Sequence, residues 1–205
     1  VSVAVAVFAA GRGSRLGGDA SKPLLEWRGR PLLVWAVAAA LDSGLTPVLI
    51  TVGYRSADVR AALTEGDGAG SVERGKVEVV DNREWEAGIA SSLRAAIDAL
   101  GSRPEVTALC VGLADQPRVG PDAYRRLAAA HTAGAQLAVA TYGARRGNPV
   151  LLARSLWPRA MELRGDAGAR QLMKDRPVVE VPCDGTGTPD DVDTLEDLGH
   201  LQEDQ

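Results

Sequence analysis

The sequence predicts an α/β domain with a mostly parallel sheet flanked by helices, and three observations carry that reading. Short apolar runs alternate with segments of helical periodicity along the whole of the 205 residues. The runs are apolar at consecutive positions rather than at every second one, as strands covered on both faces require. Neither an internal repeat nor a linker divides the chain, so one domain over residues 1–205 is expected, its sheet built with right-handed crossovers.

The elements follow in order. VSVAVAVF is a buried strand that ends at a glycine cluster, and PLLVWAVAAALDSG is a helix with Pro31 at its start and Gly44 just past its end. PVLITV is the second strand, residues 56–63 a short helix, 64–75 a Gly-rich surface loop and KVEVV the third strand. A helix then places Ile89, Leu93, Ala96, Ile97 and Leu100 on one face. TALCVGL is a strand, residues 121–131 a helix, QLAVATY a strand and 149–153 a short strand. A helix near 155–163 is broken at Gly165, a second near 167–174 follows, then the strand PVVEV and a last helix over 194–201, with residues 203–205 expected to form a disordered tail.

Composition narrows the function classes. With 45% hydrophobic and 24% charged residues the chain is of globular type, and 4% aromatics leave a core of Ala, Val and Leu. No apolar run reaches the roughly 20 residues of a membrane span, and the first ten residues lack a signal-peptide pattern, so no membrane partner and a cytoplasmic location are expected. Cys110 and Cys183 have no Cys or His at ligand spacing and read as buried hydrophobes rather than a zinc site or a disulfide. Residues 184–205 hold eight of the 27 acids and no Lys or Arg, so the net charge of -4 hides a basic remainder. Within residues 1–30 Arg12, Arg15, Lys22, Arg28 and Arg30 face two acids, a balance that suits a small polyanion and not a long nucleic acid.

Ligands of such sheets bind beyond the carboxyl ends of the strands, and the first strand runs into AAGRGSRLG, residues 9–17. Gly11 and Gly13 allow backbone N–H groups to approach phosphate oxygens, and Arg15 and Lys22 bring countercharge. The segment is not a Walker A loop, and its third glycine is one residue late for a dinucleotide fingerprint. A tight βα turn without a ligand would use the same glycines. Two acidic sites complete the set: Asp115-Gln116-Pro117 ends an apolar run, and Asp191-Val192-Asp193-Thr194 precedes the last helix. Magnesium takes one or two carboxylates beside phosphate and water oxygens, which both sites can supply; Asp193 is equally placed to cap the helix.

The ordered set FAAGRGSRLGGDASKPLL, GRPLL, NREWEAGIASSLRAAI, GLADQP, RGNPVLL, LRGDAGARQLM and DVDTLEDL resembles the molybdenum cofactor cytidylyltransferase group of the MobA-like nucleotidyltransferases over nearly the whole chain. The resemblance implies a Rossmann-like, GT-A type fold in which CTP and Mg2+ meet a molybdopterin-type phosphorylated acceptor. It puts Ala9, Ala10, Gly11, Gly13, Arg15 and Lys22 around the nucleotide, and makes Asp115 and Asp193 the metal ligands. Asn82 to Ser92 resembles a nucleotide-covering loop, with Gly88, Ser91 and Ser92 at a helix start, where a plain helix cap would use the same residues. Gly147, Asn148 and Pro149, with Gly165 and Asp166, fall on acceptor-side elements, which are also turn residues. One departure is local: Pro23 follows Lys22, and Glu26 stands where the family has proline.

An acceptor phosphate is ionised at neutral pH, so catalysis is expected to rest on Arg15, Lys22 and Asp115 without a general base, and His131 and His200 are expected to be structural. The open alternatives are GTP as donor, a sugar or polyol phosphate as acceptor, and a protein that binds and delivers nucleotide or cofactor without turnover. A molybdoenzyme or its chaperone is the expected recipient of the product. A dehydrogenase is disfavoured because Asp42, the acid that could hold a ribose, falls within the first helix.

Overall fold

The computed structural model describes residues 2–13, 21–64, 77–192 and 194–203. Seven strands form one sheet in the order β5-β4-β1-β6-β8-β7-β9: β1 (Ser2–Ala9), β4 (Val48–Val52), β5 (Val77–Asp81), β6 (Val106–Leu113), β7 (Leu137–Tyr142), β8 (Arg145–Ala153) and β9 (Val179–Pro182). A two-residue-per-strand hairpin, β2 (Glu26–Trp27) and β3 (Arg30–Pro31), stands apart from it. All neighbouring pairs in the large sheet are parallel except those made by β8, which runs against both β6 and β7. The mostly parallel, Rossmann-like sheet expected from the sequence is therefore the one observed.

Burial on both faces explains why the strands read as continuous apolar runs. Along β1, Val3, Val5, Val7 and Ala9 join one core with α1 (Leu32–Asp42), α2 (Ser56–Thr64) and α4 (Pro121–Thr132). The alternate residues Ala4, Ala6 and Phe8 join the opposite core with Leu93, Ala96 and Ile97 of α3 (Ile89–Ala99) and Trp157 of α5 (Trp157–Ala160). Helix α1 is apolar nearly all round because its outer side is covered too: Trp27, Leu32 and Val192 form a third cluster with Trp35 and with Leu198 of α6 (Leu195–Glu203). At the end of α1 the Arg125 guanidinium donates to the carbonyls of Ser43 and Asp42, which have no partner inside the helix.

Several expectations are corrected. The helix near 155–163 is a 3-10 turn, Arg154–Leu156, and the four residues of α5. The helix near 167–174 is a 3-10 segment, Ala169–Met173. The short strand at 149–153 is the last part of the nine-residue β8, which begins at the turn Gly143-Ala144, where φ is positive at both residues. Asp193 lies outside the described residues, but the cap of α6 is Thr194: its Oγ1 accepts from the Asp197 backbone N–H (3.1 Å), and Asp197 Oδ2 accepts from the Thr194 N–H (2.7 Å). The 65–75 part of the expected loop and residues 204–205 of the tail also lie outside the described residues, while residues 201–203 continue α6. Cys110 and Cys183 are buried free thiols. No helix among the described residues is long and apolar enough to cross a membrane.

Candidate active site

Strand β1 leads to β4 on one side, and the chain later returns to place β6 on the other, so β1 and β6 flank the point where the sheet reverses its winding. Loops leaving two such strands diverge to opposite faces and open a crevice at the carboxyl ends. There a cavity of about 410 Å³ is lined by Phe8 to Gly13, by Lys22 and Pro23, by Trp85, Glu86, Gly88, Ile89 and Ser92, by Leu113 to Asp115, and by Asp166. That volume is in the range of small-molecule sites.

The floor comes from β1 and its loop. Ala10 carbonyl accepts the Tyr54 N–H (3.1 Å), and the chain leaves through Gly11, Arg12 and Gly13, which line the cavity. At Gly13 φ is +69°, and a Cβ there would lie 2.5 Å from Lys22 Cγ, so only glycine lets the lysine stem cross the loop. Lys22 is thereby brought over the cavity, its Nζ 3.5 Å from Asp115 Oδ2. Asp115 stands just beyond β6. Burial pushes its carboxyl above the usual range and the neighbouring Asp191 adds to that push, while Lys22 pulls the other way without reversing it.

The lid side is built on Asn82, which is buried at the end of β5. Its Nδ2 donates to Ser91 Oγ (2.7 Å) and Ser92 Oγ (3.1 Å), and its Oδ1 accepts from the Glu84 N–H (3.1 Å). Ser91 Oγ in turn donates to the Gly88 carbonyl (2.7 Å). Of these residues Gly88 and Ser92 reach the cavity, whereas Asn82 and Ser91 sit behind it and hold the loop. Gly88 has φ +88°, and a Cβ there would lie 2.5 Å from the Gly165 carbonyl oxygen; the same carbonyl accepts from the Ala90 N–H (3.1 Å). The Gly165-Asp166 turn is thus pinned to the start of α3 on the wall of this cavity, away from the other expected acceptor-side residues.

Gly147, Asn148 and Pro149 lie on β8 and do not line this cavity. Asn148 Nδ2 donates to Gln116 Oε1 (3.0 Å), and Gln116 Nε2 donates to Asp191 Oδ1 (2.8 Å) and the Pro189 carbonyl (2.8 Å). Gln116, Gly147 and Asp191 line a second cavity of about 320 Å³ with Arg145, Arg146 and Arg170. Arg15 and Asp193, expected on the phosphates and the metal, lie outside the described residues.

The structure adds residues that sequence patterns did not single out. Trp85 and Glu86 line the first cavity, Tyr54 tilts against Trp85 with ring centroids 5.4 Å apart, and the Arg12 guanidinium lies 5.5 Å from the Tyr54 ring centroid. Position in the covering segment three residues before Gly88 was the available signal for Trp85. His131 bridges Thr107 Oγ1 (3.1 Å) and the Ala135 carbonyl (2.9 Å), far in sequence from the cavity's residues and not among its lining.

Comparison with known proteins gives a consistent outcome. A family model described as MobA-like NTP transferase domain matches residues 5–181. The chain is 33% identical over 139 residues, 68% of its length, to the bifunctional protein GlmU of Anaeromyxobacter sp. (strain Fw109-5), and 36% identical over 138 residues, 66% of its length, to 2-C-methyl-D-erythritol 4-phosphate cytidylyltransferase of Synechococcus sp. (strain CC9902). These matches span 27% and 55% of the respective relatives. The crystal structure of Rv0371c from Mycobacterium tuberculosis H37Rv aligns with a TM-score of 0.81 at 32% identity, covering 99% of this chain and 98% of that one. Its manganese complex aligns with a TM-score of 0.78 at 30% identity over the full length of both.

Proposed function

Because this chain belongs to the MobA-like NTP transferase domain family, we propose that it is a metal-dependent nucleotidyltransferase that moves CMP from CTP to the phosphate of molybdenum-bound molybdopterin and releases pyrophosphate. The observation that carries the transferase reading is the convergence of the glycine-loop backbone, Lys22 and Asp115 on one cavity at the switch point of the sheet. A site that only held a nucleotide would have no use for a half-buried carboxylate beside the phosphate-binding lysine. The pair Ala9-Ala10 and the relative named a cytidylyltransferase favour CTP over GTP. The acceptor rests on the likeness of the ordered motifs, and a sugar or polyol phosphate is the alternative.

The residues present fit a divalent cation. Asp115 offers a desolvated carboxylate that gains from a cation, Asp191 brings a second one close, and magnesium needs no more than two beside phosphate oxygens. Asp193 would complete the acidic segment, and Rv0371c, a protein of like fold, has been solved as a complex with manganese. When bound, such a cation supplies Lewis-acid neutralisation of the phosphate charge.

In this mechanism the backbone N–H groups of residues 11–13 and the side chains of Lys22 and Arg15 hold the triphosphate. An acceptor phosphate oxygen forms the new bond to the α-phosphorus, the bond to the bridging oxygen breaks in line, and pyrophosphate leaves against Lys22 and Arg15. Gly88 and Ser92 close over the nucleotide from the lid side, and the nucleophile needs no base because it is already ionised. The direct test is thermal unfolding with CTP, GTP, UTP and ATP, each with and without Mg2+. A Mg2+-dependent rise with CTP alone is expected; a preference for GTP moves the reading to guanylyl transfer, and no rise with any nucleotide supports a carrier instead.

A further inference from the structure

Gln116 is 2% exposed, lies immediately after Asp115, and makes three hydrogen bonds through its side-chain amide, using both N–H hydrogens and the carbonyl oxygen. On one side its Nε2 faces two acceptors, the Asp191 carboxylate and the Pro189 carbonyl; on the other its Oε1 faces the Asn148 amide nitrogen. Turning the amide over would set its oxygen against two oxygens, so the chemistry of the partners fixes its orientation. Glutamate would meet the same repulsion with a charge added.

The three partners come from two separate parts of the chain. Asn148 belongs to β8, while Pro189 and Asp191 belong to the segment that crosses back from β9 towards α6. The backbone continues the junction: the Val192 N–H donates to the Asp115 carbonyl at 3.0 Å. Asp191 is therefore held beside Asp115 by one hydrogen bond to the main chain of the next residue and one to its own carboxylate.

We propose that Gln116 is a positioning residue that holds the Asp191 carboxylate towards Asp115, so that the two acids serve one bound cation between the two cavities. This rests on the metal-dependent reading given above. Groups that orient a metal ligand through a hydrogen bond typically change metal affinity by about 10–100-fold when removed. Asn148 acts one step further back, because its Nδ2 keeps the Gln116 amide from turning.

The test is Mn2+ binding to the full chain in the presence of CTP, read from the electron paramagnetic resonance signal of free Mn2+. Gln116→Met keeps the length and volume of the side chain without its hydrogen bonds, and is expected to weaken Mn2+ binding by about 10-fold or more. Asp191→Asn weakens it as well, and adding Gln116→Met to Asp191→Asn brings no further loss, because the two act as one unit. Asn148→Ala serves as the second probe should Gln116→Met fail to give a native circular dichroism spectrum. Its smaller loss is likewise expected to vanish in the Asp191→Asn background. Losses that simply add, or a folded Gln116→Met chain with wild-type Mn2+ affinity, overturn the role assigned to Gln116. Unchanged Mn2+ binding by Asp115→Asn, or none by the wild type, overturns the metal reading itself and this role with it.

Discussion

Lys22 Nζ lies 3.5 Å from Asp115 Oδ2, and that pair joins the loop after β1 to the end of β6 across the switch point of the sheet. The two side chains are 14% and 20% exposed, so each charge is partly withdrawn from water and depends on the other. The attraction is not enough: burial still leaves the Asp115 carboxyl above its ordinary value of 3.8.

Asp115→Asn is expected to lower nucleotidyl transfer by about a hundredfold or more, since it removes the carboxylate proposed to hold the cation that neutralises the reacting phosphates. The metal-free variant is expected to be more stable than the wild type at neutral pH. With the folded-state pKa raised, the protonated carboxyl favours the native state; that contribution is complete below the unfolded value near 3.8 and is lost as pH rises through the higher folded value. Thermal unfolding of both proteins at pH 7 and again near pH 3.8 checks this, and the gap in Tm should close at the acid end. A variant that keeps near wild-type turnover would remove Asp115 from the reaction.

Gly88→Ala is expected to cost stability and nucleotide binding together. The residue needs φ +88°, which alanine adopts at a cost of about 1–3 kcal/mol, and its methyl would collide with the Gly165 carbonyl. Relief requires the 165–166 turn to move off α3, and Asp166 leaves the cavity wall with it. Urea unfolding and CTP titration are the two measurements; a wild-type midpoint and affinity would show that the loop adapts freely.

The parts legible in the sequence were those encoded by neighbours. β1, its glycine loop, α1 and β4 follow from apolar runs with capping and breaking residues at their ends, and Asp115 stood out at the end of such a run. The β2–β3 hairpin carries no strong sequence signal because its turn is Arg28-Gly29 rather than Asn-Gly, although both residues take the positive φ such turns need. β8 reads as short because Arg145, Arg146 and Asn148 have loop character, yet pairing with β7 takes in Arg145, Arg146 and Gly147 and, after an irregularity at Asn148 and Pro149, resumes at Val150. The Gln116–Asn148–Asp191 junction had no sequence signal: its members are 32 and 75 residues apart and meet only through the antiparallel return of β8 and the crossing of the C-terminal segment.

Thr194→Ala and Asp197→Ala each break the reciprocal cap of α6 and are expected to cost about 1 kcal/mol. For a chain of this size that is a fall in Tm of roughly 2–4 °C. Because each residue satisfies the other's backbone N–H, the double variant should lose less than the two single losses added together. Calorimetry on the three variants decides it, and strict additivity would show that the two bonds act independently.

Asn82→Asp tests whether the covering segment is held by an amide or merely by a side chain of that shape. Asn82 gives its two N–H hydrogens to Ser91 and Ser92, and the Ser91 hydroxyl hydrogen is already committed to the Gly88 carbonyl. Aspartate would turn an oxygen towards Ser91, where both partners are then acceptors, and would bury a charge at a position only 4% exposed. Leaving such groups unmatched costs about 1–3 kcal/mol, more where one is charged. The damage should concentrate in the segment from Glu84 to Gly88, whose first N–H also bonds Asn82. Hydrogen exchange is therefore expected to rise in residues 84–88 and CTP to bind more weakly, although neither Asn82 nor Ser91 reaches the cavity. Weaker binding with exchange unchanged in that segment would instead make Asn82 a direct contact to the nucleotide.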